Sequence, residues 1–249
     1  MRGRVGQSEP PKPGRSIDLP GFGGSDCPTR PRISAYAEAV AEGLEHIGID
    51  SCTLVGHSLG GAVATAVAER TRVVDALALI APAGFGSIRL AEAMALPGVV
   101  DLAERTLPLA LINPLTATAG YTTFVAHRTL PSRDLLNRLR RRAFQSGPGV
   151  RAATIALAAS GRSERAFFKR PVAFDGPVAA LWGSKDALVP VGHTEGLRRA
   201  LPQAHIEVWR GMGHHPQRER PDDLCAFVER HAAARRRSVR VVTPLRRAA

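Results

Sequence analysis

The chain has 249 residues, 44% hydrophobic and 22% charged, with a formal net charge of +12 at pH 7. That length suits one α/β domain, or a core with an inserted subdomain, and no run of 18 apolar residues marks a membrane span. The charge is almost wholly arginine, clustered in "NRLRRRAF" and "RHAAARRRSVRVVTPLRRAA". Neither cluster has interleaved aromatics or zinc-finger spacing, so no nucleic-acid partner is expected.

Residues 1–16 contain three prolines and no apolar periodicity, so they read as a disordered N-terminus. They lack the apolar segment of a signal peptide, which points to the cytoplasm. Cys27, Cys52 and Cys225 have neither paired nor metal-like spacing and read as reduced bystanders. "ISAYAEAVAEGLEHIG" places Ile33, Tyr36, Ala37, Val40, Leu44 and Ile47 on one helical face. "SCTLV" reads as a buried strand that runs through Gly56 into the small-residue helix "SLGGAVATAVAER". "DALALIAPAG" reads as a second buried strand. Residues 86–172 change character, with helical patterns separated by prolines and no clear strand. Strand signals return at "PVAALWG" and "HIEVWRG", and a last helix, "PDDLCAFVERHAA", follows Pro221.

Strands alternating with helices predict an α/β fold: a mainly parallel sheet flanked by helices. The expected organisation is a core of residues 17–85 and 173–233, a helical cap of residues 86–172 and a basic tail of residues 234–249. A block inserted between strands in this way covers their carboxyl ends, where such sheets hold ligands.

Gly56-His57-Ser58-Leu59-Gly60 fits the pattern G-x-S-x-G, with an apolar strand before it and an Ala/Val helix after it. A serine at a sharp strand-to-helix turn has strained backbone angles and needs small flanking residues. The helix N-terminus then offers N–H groups to developing negative charge. Ser58 is therefore the candidate nucleophile. Its base is sought in "RGMGHHPQRERP", after the last strand, where His214 is preferred and His215 is the alternative. His193 is a weaker candidate, His57 points away from its neighbour at such a turn, and His46, His127 and His205 read as helix-surface, cap or strand residues. Asp186, in "LWGSKDALVP", could orient the imidazole and stabilise its charged form. The order Ser58, Asp186, His214 matches the Ser-Asp-His order of α/β-hydrolases.

"DLPGFGGSD", "GHSLGG", "WGSKDALVP" and "GMGHHPQRERP" together resemble the α/β-hydrolase superfamily over about residues 17–232. The branch resembled holds small esterases, C–C bond hydrolases and cofactor-free haloperoxidases. Serine at the turn argues against epoxide hydrolases, which carry aspartate there. The resemblance implies Ser58 as nucleophile, Asp186 as acid and His214 as base, the last supported by the family's G-x-G-H-x4-E-x-P loop, matched through Glu219 and Pro221. It implies the Leu59 N–H as one oxyanion donor, and no metal or organic cofactor. The implied substrate is a small, mostly apolar ester or other acyl compound. C–C hydrolase or haloperoxidase-like chemistry on the same triad, and a non-catalytic remnant, are the alternatives.

In that family three strands and a second oxyanion donor, usually marked by His-Gly, precede the "DLPGFG" segment. Here only 16 residues do, and no His-Gly precedes Ser58. The resemblance thus implies that N-terminal strands are missing, leaving a gap beside the "CTLV" strand with unpaired backbone. The alternative is that residues 1–16 supply an unusual strand.

Overall fold

A computed structural model describes residues 14–22, 25–26, 32–94, 96–99, 101–102, 105–106, 113–127, 129–138, 151–152, 155–156, 168 and 170–238. Its centre is a four-stranded, wholly parallel sheet in the order β1 (Cys52–His57), β2 (Val74–Ile80), β3 (Val178–Gly183), β4 (His205–Trp209). Parallel neighbours need crossovers. These come from the helix α2 (Leu59–Ala68) between β1 and β2 and from the helix α5 (His193–Ala200) between β3 and β4. Helix α1 (Ile33–His46) precedes the sheet, and α6 (Pro216–Glu219) and α7 (Pro221–Ser238) follow it. Helices α3 (Arg89–Met94) and α4 (Pro114–Phe124) lie within the long insertion between β2 and β3, where the described residues form no strand.

The central strands β2 and β3 are short apolar runs because both faces of the sheet are covered there. Alternation divides them: Leu77, Leu79, Val178, Ala180 and Trp182 join the larger core with α1, α2 and α5. Ile80, Ala179 and Leu181 face the other way, against Met212 and against Leu224 and Phe227 of α7. In α1 the buried residues are Ile33, Tyr36, Ala37, Val40 and Leu44, the stripe that the 3.6-residue period requires. That helix stops at Gly48, whose φ of 66° suits the left-handed turn and whose N–H bonds to the Glu45 carbonyl at 3.0 Å. Ile47, expected on the buried stripe, lies after the helix and is exposed.

The segment before α1 forms a turn, with the Phe22 N–H on the Leu19 carbonyl at 2.9 Å; Leu19 and Phe22 pack against the larger core. Among the described residues β1 pairs only with β2, so β1 is an edge strand of the four-stranded sheet. Val55 on β1 is 51% exposed. Helix α7 continues past residue 233 to Ser238. Cys52 and Cys225 are free thiols, and burial pushes the Cys52 pKa up; Cys27 lies outside the described residues. No described helix is long and apolar enough to cross a membrane.

Candidate active site

The turn from β1 into α2 places Ser58 at φ 53°, ψ −119°. A non-glycine residue in that region is strained and is held there by its surroundings. Here the restraint is close backbone contact. A side chain at Gly56 would overlap the Gly60 carbonyl and bring its Cβ within 2.8 Å of Gly61 Cα, while one at Gly61 would come within 2.8 Å of Pro82 Cα. A Cβ at Gly60 meets nothing within 4 Å. The tight pair is therefore Gly56 and Gly61, although the sequence pattern draws attention to Gly56 and Gly60. The Ser58 N–H bonds to the Ile80 carbonyl at 3.0 Å, and its own carbonyl accepts from the N–H groups of Gly61 and Ala83. Ala81, at the matching end of β2, is the second described non-glycine residue with positive φ, at 42°. Leu59 is the first residue of α2, where an N–H has no acceptor within its own helix.

Two loops at the same end of the sheet hold the other candidates. The Asp186 carboxylate is divided between tasks. Its Oδ1 accepts from the N–H groups of Leu188 at 2.9 Å and Val189 at 2.8 Å. Its Oδ2 stands 2.7 Å from His214 Nδ1, and both side chains are almost wholly buried. Burial without a partner would penalise such a carboxylate heavily, so these three bonds are what allow it there. The two loops are also bound to each other. Ser184 and Lys185 donate N–H bonds to the carbonyls of Trp209 and Met212, and Gly211 donates to Ser184 Oγ. Gly183 is needed where they cross, because a Cβ there would overlap the Met212 and Gly213 carbonyls. Glu219 Oε1 accepts the Gly213 N–H at 2.8 Å, so α6 anchors the loop immediately before His214.

His57 joins the serine turn to this assembly. Its Nε2 donates to the His214 carbonyl at 2.8 Å, and its ring centroid lies 4.6 Å from that of His214 and 4.7 Å from that of His215. Burial, reinforced by the neighbouring imidazoles of His214 and His215, holds the His57 pKa well below the usual histidine range. His215 Nδ1 donates to the Val125 carbonyl at 3.0 Å; burial and the His214 ring push its pKa down to about 4. Each of the three rings thus has one nitrogen engaged within the protein, while their possible ligand atoms lie within 4.8 Å of one another.

The structure thus joins Asp186 to His214, and His57, the residue before Ser58, to the His214 backbone. His193 is buried, with Nε2 donating to the Ser87 carbonyl at 3.1 Å and burial lowering its pKa. His46, His127 and His205 are exposed. The bridging role of His57 was missed in the sequence, because its partner lies 157 residues away. Glu219 did carry a signal, in its spacing from His214. A cavity of about 660 Å³, lined in part by Glu69, Arg72, Asp75 and Pro177, lies at the other end of β2, away from the Ser58 turn.

A parallel sheet with a strained serine turn and a buried Asp–His pair at its carboxyl edge defines an α/β-hydrolase architecture. The sequence profile of the alpha/beta hydrolase fold matches residues 16–221, and the chain belongs to that family. An uncharacterized protein of Mycobacterium tuberculosis is 30% identical over 226 residues, covering 86% of this chain and 65% of that protein. The chain therefore spans slightly less than two thirds of that relative's length. The pimeloyl-[acyl-carrier protein] methyl ester esterase of Aromatoleum aromaticum is 28% identical over 231 residues, covering 86% of this chain and 85% of the other. Among solved structures, a thermophilic esterase from Thermogutta terrifontis aligns with a TM-score of 0.65 at 25% identity, covering 86% of this chain and 76% of the other.

Proposed function

We propose that the chain is a serine hydrolase that cleaves a small, mostly apolar ester or similar acyl substrate. Ser58 Oγ attacks the carbonyl carbon while His214 takes the hydroxyl proton; the carbonyl π electrons move to oxygen, giving a tetrahedral oxyanion. The Leu59 N–H, at the N-terminus of α2, stabilises that charge. Collapse of the intermediate expels the alkoxide, which receives the proton from His214. Water then attacks the acyl-serine with His214 again as base, releasing the acid and restoring Ser58. Asp186 Oδ2 keeps the His214 proton on Nδ1 and so leaves Nε2 as the basic nitrogen. In this reading residues 17–85 and 173–233 are the catalytic core, and residues 86–172 form the cap.

The observation that carries the reading is the buried 2.7 Å contact between His214 Nδ1 and Asp186 Oδ2 beside the strained Ser58 turn. The bond from His215 to the Val125 carbonyl supports a cap in contact with the base loop. The esterase names of the Aromatoleum and Thermogutta proteins support the acyl substrate class.

A fluorophosphonate probe tests the reading, because it phosphonylates an activated serine. Labelling of the native chain that is lost in Ser58→Ala is the expected result. A folded protein that resists the probe would sink it and favour a non-catalytic remnant. Turnover of p-nitrophenyl esters in preference to a ring-cleavage dienone separates the ester reading from C–C bond hydrolysis.

A further inference from the structure

We propose that His205, Glu207 and His231 form a binding site for a zinc-type divalent cation, tying the edge strand β4 to α7. The site is separate from the Ser58 turn and does not depend on the reading of that turn. His205 and Glu207 are two residues apart on β4, so their side chains leave the same face of the strand. Helix α7 covers that face, with the Phe227 ring edge-on to Trp209 at 6.3 Å, and it carries His231.

The donors converge on one oxygen. His205 Nε2 lies 3.6 Å and His231 Nε2 3.8 Å from Glu207 Oε1, and the three ligand atoms are all within 4.8 Å of one another. These separations are too long for good hydrogen bonds. They are close to what a metal needs, since donors at about 2.0–2.1 Å from a tetrahedral zinc stand about 3.3 Å apart. Side-chain rotation would have to draw the two imidazole nitrogens closer to Oε1 and to each other.

His231 Nε2 is buried and has no hydrogen-bond partner among the described residues. A buried nitrogen of that kind is uncommon, and a cation would satisfy it. The Trp209 Nε1–H donates to Glu207 Oε2 at 3.0 Å, orienting the carboxylate and leaving Oε1 toward the histidines. Two imidazoles and a carboxylate suit zinc, with copper and nickel also able to enter. One group opposes the ion: Arg230 Nη2 sits 3.3 Å from the same Oε1. Its side chain is 57% exposed and can swing into solvent.

The test is calorimetric titration of the full chain with zinc chloride, paired with thermal melts in the presence and absence of zinc. Expected are zinc binding that weakens at least ~10-fold in His205→Ala and in Glu207→Gln, and a zinc-induced rise in Tm that His205→Ala abolishes. His205 is exposed, so its removal opens no core. Arg230→Ala, which removes the competing cation, is expected to tighten binding. The proposal is overturned if zinc does not bind. It is equally overturned if binding is unchanged in His205→Ala and Glu207→Gln, as it would be with the metal on His57, His214 and His215. Weaker binding in Arg230→Ala would overturn the placing of the ion at Oε1.

Discussion

The turn that carries Ser58 is held by contact between backbones, whereas the loops that carry Asp186 and His214 are held mainly by hydrogen bonds. At the turn, Gly56 and Gly61 leave no room for a Cβ, and the strained φ of Ser58 follows from that closeness. In the loops, Asp186, Ser184, Lys185, Gly211 and Glu219 share the task through separate bonds. A steric support fails at a single added carbon. A hydrogen-bonded support loses one bond at a time, each worth about 1 kcal/mol net. The first kind is therefore brittle and the second graded.

The largest expected effect tests the hydrogen-bonded side where its chemistry is least graded. In Asp186→Asn the amide oxygen keeps the Leu188 and Val189 N–H groups, so the NH₂ must face His214 Nδ1. That nitrogen would then have to accept, moving the ring proton to Nε2. Ester turnover is expected to fall about 10⁴-fold with the melting temperature little changed, measured by steady-state kinetics alongside calorimetry.

Next in size are Gly56→Ala and Gly61→Ala, each expected to destabilise by about 1–3 kcal/mol through overpacking, read as a lower urea midpoint. A neutral result at either position would break the contrast between the two kinds of support. Acid probes the histidine cluster. His215, at about 4, and His57, also depressed, are neutral in the folded state and protonate more readily when unfolded. Below the ordinary histidine pKa of about 6.5 the unfolded state therefore binds more protons. Stability should be lost as pH falls from there toward 4, with a slope of at most about 1.4 kcal/mol per pH unit for each such group. Urea midpoints across pH 7 to 4 check this, and His215→Asn should flatten the slope.

Glu219→Ala leaves the Gly213 N–H without its acceptor and is expected to cost about 1–3 kcal/mol, at the low end because the bond is only partly buried. Glu219→Gln, which keeps an acceptor oxygen, should recover most of that. The smallest effect has the opposite sign. Gly60→Ala adds a methyl into open space on α2 and should stabilise by about 0.5–1 kcal/mol, in contrast to its neighbour Gly61. Equal losses at residues 60 and 61 would remove the assignment of the tight contact.

The strands, α1 and the loops bearing Asp186 and His214 were legible because they rest on local signals: short apolar runs, the 3.6-residue stripe, and Gly or Pro at the breaks. The G-x-S-x-G pattern located the turn but misplaced its second tight glycine, since closeness of Gly61 to Pro82 depends on how β2 ends beside β1. The bond from His57 to His214 and the grouping of His205, Glu207 and His231 were not legible. The first arises where the serine turn meets the His214 loop and the second where β4 meets α7, and sequence separation hides such contacts.

The two donor histidines of the ring cluster are protonated on different nitrogens: His57 through Nε2 to the His214 carbonyl, His215 through Nδ1 to the Val125 carbonyl. Opposite tautomers have different ¹⁵N chemical shifts. Nitrogen NMR of histidine-labelled protein would thus give His214 two internal standards within 5.0 Å, one for each neutral form. Its own protonation could then be followed through an inhibitor titration without mutating any of the three.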